Sequence, residues 1–131
     1  MAKDSPLFHD EPVAALAGMP SGSVFRYWRG ASGRRYLHTV HAIGDWPGYC
    51  EANLIFVRCR PGGRRHVLWV GQIDGHGAPA AAQSLFARMA DAGASEVHVH
   101  LLAGSGKARR AVERDLKGAL GLLRVVEPVN A

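Results

Sequence analysis

Apolar positions recur along this chain with two periods, and the switches between them mark out its elements. Val24-Phe25-Arg26-Tyr27-Trp28 and Arg35-Tyr36-Leu37-His38-Thr39-Val40-His41 are rich in aromatic and β-branched residues. They flank Arg29-Gly30-Ala31-Ser32-Gly33-Arg34, whose two glycines suit a turn, so the pattern predicts a β-hairpin. Gly44-Asp45-Trp46-Pro47-Gly48 is turn material. Asn53-Leu54-Ile55-Phe56-Val57-Arg58 and His66-Val67-Leu68-Trp69-Val70 form a second hairpin around Pro61-Gly62-Gly63. Their near-continuous apolar character predicts central strands covered on both faces. Pro79–Ala92 changes to helical spacing, with Leu85, Met89 and Ala92 on one stripe, Phe86 beside it and Gly93 as a stop. Alternation returns in Glu96-Val97-His98-Val99-His100-Leu101, which sets Val97, Val99 and Leu101 on one face and two histidines on the other. Ser105 is placed to cap a last helix over Gly106–Leu120, with Ala108, Val112, Leu116, Ala119 and Leu120 as its core stripe.

From residue 52 onward the order is β-β-α-β-α. The simplest architecture for it is an α/β (α+β) domain with a small three-stranded sheet backed by helices, the first hairpin being an N-terminal extension. Residues 1–20, with Pro6, Pro12 and Pro20 around the short apolar stretch Val13–Ala17, read as an arm, which leaves 21–131 as one domain. A chain of 131 residues is long enough to bury a core. No apolar run approaches the roughly 20 residues of a membrane helix, and Met1-Ala2-Lys3-Asp4-Ser5-Pro6 is not a secretory leader. A cytoplasmic protein with no membrane partner is the expectation. Cys50 and Cys59 lack metal or redox spacing and read as free, buried or half-buried thiols.

Charge changes the picture. Sixteen lysines and arginines, mostly arginine, oppose eleven acidic residues, for a net charge of +5. Guanidinium forks match phosphate geometry, so an anionic partner is indicated, with nucleic acid the best candidate. Arginine enrichment alongside alanine and glycine is also what a GC-rich genome produces. The candidate contacts are Arg34 and Arg35 in the first hairpin, Arg64 and Arg65 in the second, and Arg109, Arg110 and Arg114 on the last helix. Tyr27, Trp28 and Tyr36 are suited to stacking on bases or, more commonly, to core packing.

Other chemistry is sparse. Gly104-Ser105-Gly106-Lys107 lies between a strand and a helix, where a phosphate loop belongs. Leu101 and Ala108, however, replace the first glycine and the magnesium-binding hydroxyl of that motif, leaving a plain helix N-terminus able to hold an anion at most. His98 and His100, with His76 in a preceding loop, are either part of a zinc site lacking a third ligand nearby in sequence or, more ordinarily, a polar strand face under a helix. No nucleophile elbow occurs. Glu113 has Arg109 at i−4 and Lys117 at i+4, a setting for surface ion pairs or for a carboxylate aimed at the sheet.

The element order and several short motifs over residues 52–130 together resemble the GIY-YIG endonuclease superfamily. Ala52-Asn53-Leu54 resembles its first motif and Leu68-Trp69-Val70-Gly71-Gln72 its second, Glu113 falls where such nucleases carry a metal-binding glutamate, and Pro128-Val129-Asn130 resembles their closing residues. The resemblance implies that Leu54 stands in the place of the tyrosine that helps activate water, and Trp69 in that of the second aromatic, with Gly71 and Glu113 retained. The early part of the first helix, Pro79-Ala80-Ala81-Ala82-Gln83, lacks the family's arginine, and Arg88 comes two turns later. A degenerate nuclease-like domain that binds nucleic acid is therefore expected. It has no assigned catalytic residue and no cofactor, Glu113 holding magnesium weakly at most. The alternatives are a metal-dependent nuclease with a displaced base, Tyr49 or His66, and a protein-interaction module that binds a protein partner and no nucleic acid.

Overall fold

The computed structural model describes residues 10–12, 24–45, 48, 51–74 and 79–121. Their elements run β1 (Asp10–Pro12), β2 (Val24–Arg29), β3 (Arg35–Ala42), β4 (Ala52–Arg60), β5 (Arg64–Ile73), α1 (Pro79–Asp91), β6 (Glu96–His100) and α2 (Gly106–Ala119). The periodicity locates β2 to β6 and both helices to within a few residues. Pro61 and Gly62 have the Pro-Gly order that a type II turn favours, with Gly62 at a φ of 88° and Gly63 N–H donating back to Arg60 O at 3.1 Å. Ser105 caps α2 by accepting a hydrogen bond from Ala108 N–H at 3.0 Å.

The sheet departs from the expected three strands. It is antiparallel throughout, in the order β1-β2-β3-β6-β4-β5, with five long strands and the three-residue β1 at one edge. β6 pairs with β4 on one side and with Thr39–Ala42 of β3 on the other, so the N-terminal hairpin is part of the main sheet and not an appendage. The physical reason is that β6, placed beside β4 by the crossover through α1, presents a second unpaired ladder edge, and the hairpin satisfies it. β4 is the strand covered on both faces, with Ala52 to Val57 all buried, whereas β5 is the outermost of the described strands at its edge. Within the N-terminal arm only Asp10–Pro12 is described, as a strand; Val13–Ala17 lies outside the described residues.

The alternation of β4 divides the core in two. Leu54, Phe56, Val97 and Val99 pack with Leu85 under α1, while Ile55, Val57, Trp28 and Tyr36 pack with Val112, Leu116 and Leu120 of α2 on the opposite face. α2 touches β5 through Glu113 and the β2–β3 turn through Asp115, two residues apart. Four strand spacings separate β2 from β5, about 19 Å if the sheet were flat. Contact with both requires the sheet to curl around the helix, as it does, into half a barrel. Leu101 does not continue the β6 face: it lies past the strand end and is exposed. Among the described residues, no helix is long and apolar enough to cross a membrane.

Candidate nucleic-acid interface

Beneath α2 the sheet carries a buried polar layer. Trp28 Nε1–H donates to His98 Nδ1 at 2.9 Å, so the proton of that ring sits on Nε2, which faces Glu96 Oε1 at 2.9 Å. Arg65 Nε donates to the same carboxylate oxygen at 3.0 Å. These bonds, from His98 first and then Arg65, hold the Glu96 carboxyl down at about 2 against the opposing effect of burial. His38 and His100 stand side by side, ring centroids 5.3 Å apart, and each gives its Nδ1–H to a backbone carbonyl, Tyr36 O at 2.8 Å and Leu37 O at 2.7 Å. Burial pushes the pKa of His38 well below that of a free imidazole and lowers that of His100. Asn53, the cross-strand partner of His100, donates to Arg109 O at 2.9 Å. The histidines thus form a strand face packed under a helix. His98 has both ring nitrogens engaged, and no group of three or more metal-ligating side chains occurs among the described residues. His76 lies outside those residues.

The motif residues behave as packing. Leu54 is fully buried and pairs in register with Gly71. The ring of Trp69 lies directly on Gly71, where any Cβ would collide with it, and also packs edge-on against Phe56. Leu54 and Trp69 belong to the core under α1. Glu113 is on α2, across the sheet, bonded to Lys117 at 2.7 Å and to Gln72 at 3.4 Å. The structure therefore does not bring Glu113 together with the side chains of Leu54 and Trp69. Of the two candidate displaced bases, His66 stands six residues along β5 from Gln72, about 20 Å away by strand rise, and Tyr49 lies outside the described residues. Cys50 and the Pro128-Val129-Asn130 segment lie outside them too. Cys59 is a free thiol, as expected, but exposed and not buried, because β4 runs on past β6 at this end of the sheet.

The arginines divide between the two ends of the sheet. Antiparallel pairing puts the β2–β3 turn at the end where β4 begins and β6 finishes, and the β4–β5 turn at the other. Arg34 and Arg35 are thus far from Arg64 and Arg65, and Arg65 is tied to Glu96. Arg109 is only 6% exposed, so it is not the surface contact its position suggested. Arg110 and Arg114 are exposed, with Lys107 on the same outward stripe of α2. Asp115 joins this stripe to the first hairpin: it accepts from Ser32 N–H at 2.9 Å, Ser32 Oγ–H at 2.6 Å and Tyr36 O–H at 2.7 Å. Burial works to raise its pKa, but the bonds from Ser32 and Tyr36 prevail and hold the carboxyl below its usual range. Gly30 lies so close to Asp115 that a Cβ there would collide with the carboxylate. Arg34 is held beside this clasp, and the Arg35 guanidinium sits 4.5 Å over the Tyr27 ring. Trp28 and Tyr36 are buried, leaving only half-buried Tyr27 of the three aromatics near the surface. Nothing local in the sequence marks Asp115 or Arg109; the small residue at Gly30 is the one hint of a close approach.

Comparison with family models, curated proteins and solved structures finds no match for this chain.

Proposed function

We propose that this chain binds nucleic acid, without marked sequence preference, through the basic end of the domain formed by α2 and the β2–β3 turn. The observation that carries the reading is the Asp115 clasp. It fixes an arginine-bearing turn against a helix whose outward stripe is Lys107, Arg110 and Arg114, so four exposed cations including Arg34 share one rigid end. Cations preordered in this way bind a phosphate backbone with little loss of side-chain freedom. Arg64 and Arg65, at the other end, are outside this surface. The reading includes no cleavage: Leu54 cannot transfer a proton, and Glu113 faces Gln72 and Lys117 with the sheet between it and Trp69. The GIY-YIG-like motifs are, in this proposal, packing positions of a binding domain.

Four phosphate contacts give a slope of log affinity on log salt near −4 for duplex DNA, or about a hundredfold loss between roughly 50 and 200 mM salt. A fluorescence anisotropy titration of mixed-sequence DNA and RNA over that range tests this. Affinity that is absent at low salt, or insensitive to salt, overturns the proposal.

A further inference from the structure

The first turn of α2 combines three features, of which the nucleic-acid surface uses only the Arg110 guanidinium. Ser105 satisfies two of the four leading N–H groups of the helix, Ala108 through its hydroxyl and Arg109 through its carbonyl at 2.9 Å. The N–H groups of Gly106 and Lys107 have no acceptor within the helix and point out along its axis. Two guanidinium groups fold back onto the same turn. A methyl group at Gly106 would lie 3.4 Å from Arg110 Nη1 and 3.8 Å from Arg109 Nη2. Most telling is Arg109 itself. It is more than nine-tenths buried; among the described residues its Nε has no hydrogen-bond partner, and its Nη1 has a loose 3.7 Å ion pair with Glu51, a residue half exposed to water. A buried cation left so poorly compensated is destabilising unless an anion completes it.

We propose that this turn is a binding site for a phosphate group, held by the Gly106 and Lys107 N–H groups, the Arg110 guanidinium and Arg109 at its floor. Gly106, with no Cβ, keeps open the space between the turn and the two guanidiniums. Glu51 is the competing anion and is displaced when phosphate enters. The chemistry is that of a terminal phosphate dianion, either a free phosphate or the phosphorylated end of a nucleic acid. The inference stands whether or not the wider basic surface binds a nucleic-acid backbone.

The test is a titration of the full chain with inorganic phosphate at constant ionic strength, against chloride, followed through the Gly106 and Lys107 amide resonances. Saturable shifts confined to the start of α2 are expected. Gly106→Ala weakens binding about tenfold or more by filling the cleft, and alanine is the better helix former, so loss of fold does not confuse the result. Arg110→Gln weakens binding by a similar factor, as expected for a lost charge-assisted bond. Glu51→Gln strengthens it. Tighter binding of a 5′-phosphorylated oligonucleotide than of its 5′-hydroxyl counterpart identifies a chain end as the source, whereas equal binding of the two with saturable free phosphate identifies a small phosphate. Shifts matched by chloride, or a Gly106→Ala variant that binds phosphate like wild type, overturn the site. Salt-dependent oligonucleotide binding in a protein that ignores phosphate overturns the site while leaving the nucleic-acid reading in place.

Discussion

Replacing His38 by glutamine tests the buried polar layer through its response to acid. The His38 ring is wholly buried, with Nδ1–H bonded to Tyr36 O at 2.8 Å and Nε2 without a hydrogen-bond partner among the described residues. Burial lowers its pKa well below 6.5. In the unfolded chain the imidazole takes up a proton near 6.5, while in the folded protein burial resists that uptake until lower pH. The unfolded state therefore binds more protons, and stability present above pH 6.5 is lost as the pH falls towards the folded-state value. One such histidine costs at most about 2 kcal/mol between pH 7 and pH 5, the limit reached when the folded ring takes up no proton. His100, lowered by burial, and His41, lowered by burial against the opposing charge of Asp45, act with the same sign in wild type and variant alike. Glu96, held at about 2, does not titrate in this window. Glutamine keeps a donor for Tyr36 O at similar volume, so the variant is expected to fold. Urea unfolding followed by tryptophan fluorescence at pH 7, 6 and 5 gives the two slopes. The variant should lose less stability than wild type over this range, by up to about 2 kcal/mol. Parallel slopes, or a wild-type stability that does not change between pH 7 and 5, refute the reasoning.

Other outcomes follow from particular contacts. Asp115→Ala removes three hydrogen bonds to a carboxylate and frees the β2–β3 turn; a loss of about 2 kcal/mol in thermal unfolding, with weaker oligonucleotide binding, is expected. Gly71→Ala drives a methyl into the Trp69 ring and should cost about 1–3 kcal/mol, with a changed near-ultraviolet circular dichroism spectrum; an unchanged spectrum and midpoint would contradict the packing described. Glu96→Gln should remove the stability that wild type loses as the pH falls from 4.5 towards 2, since the depressed pKa of Glu96 contributes only above that range. Supercoiled plasmid incubated with magnesium or manganese should remain intact; nicking by wild type that disappears in Glu113→Ala would restore the nuclease alternative.

What was legible in the sequence was what depends on neighbours along the chain. The alternation through Glu96–His100 and the 3.6-residue stripe of Val112 and Leu116 are local consequences of burying one face, and they located their elements. Pairing of the hairpin with β6 was not legible, because Thr39 and Val99 lie sixty positions apart and either strand's pattern suits an edge or a centre equally well. The Asp115 clasp joins residues 83 apart, and the order of charges along α2 makes Asp115 look like one more solvated carboxylate. Arg109 misleads for a related reason: hydrophobic patterning assigns arginine to the surface, yet the residue is buried, with its backbone carbonyl bonded to Asn53 of β4. Counting basic residues likewise treats Arg34 and Arg64 alike, and only the antiparallel topology separates them to opposite ends.

The most direct test of the nucleic-acid reading compares charge reversal at those two ends. Oligonucleotide binding is measured across a salt series for wild type, for the double variant Arg110→Glu/Arg114→Glu and for Arg64→Glu. The double variant should lose tenfold or more in affinity at about 50 mM salt, with the salt slope shallower by about two, while Arg64→Glu keeps the wild-type slope. Equal losses at both ends would mean that net charge acts diffusely and that no organised surface exists at α2 and the β2–β3 turn.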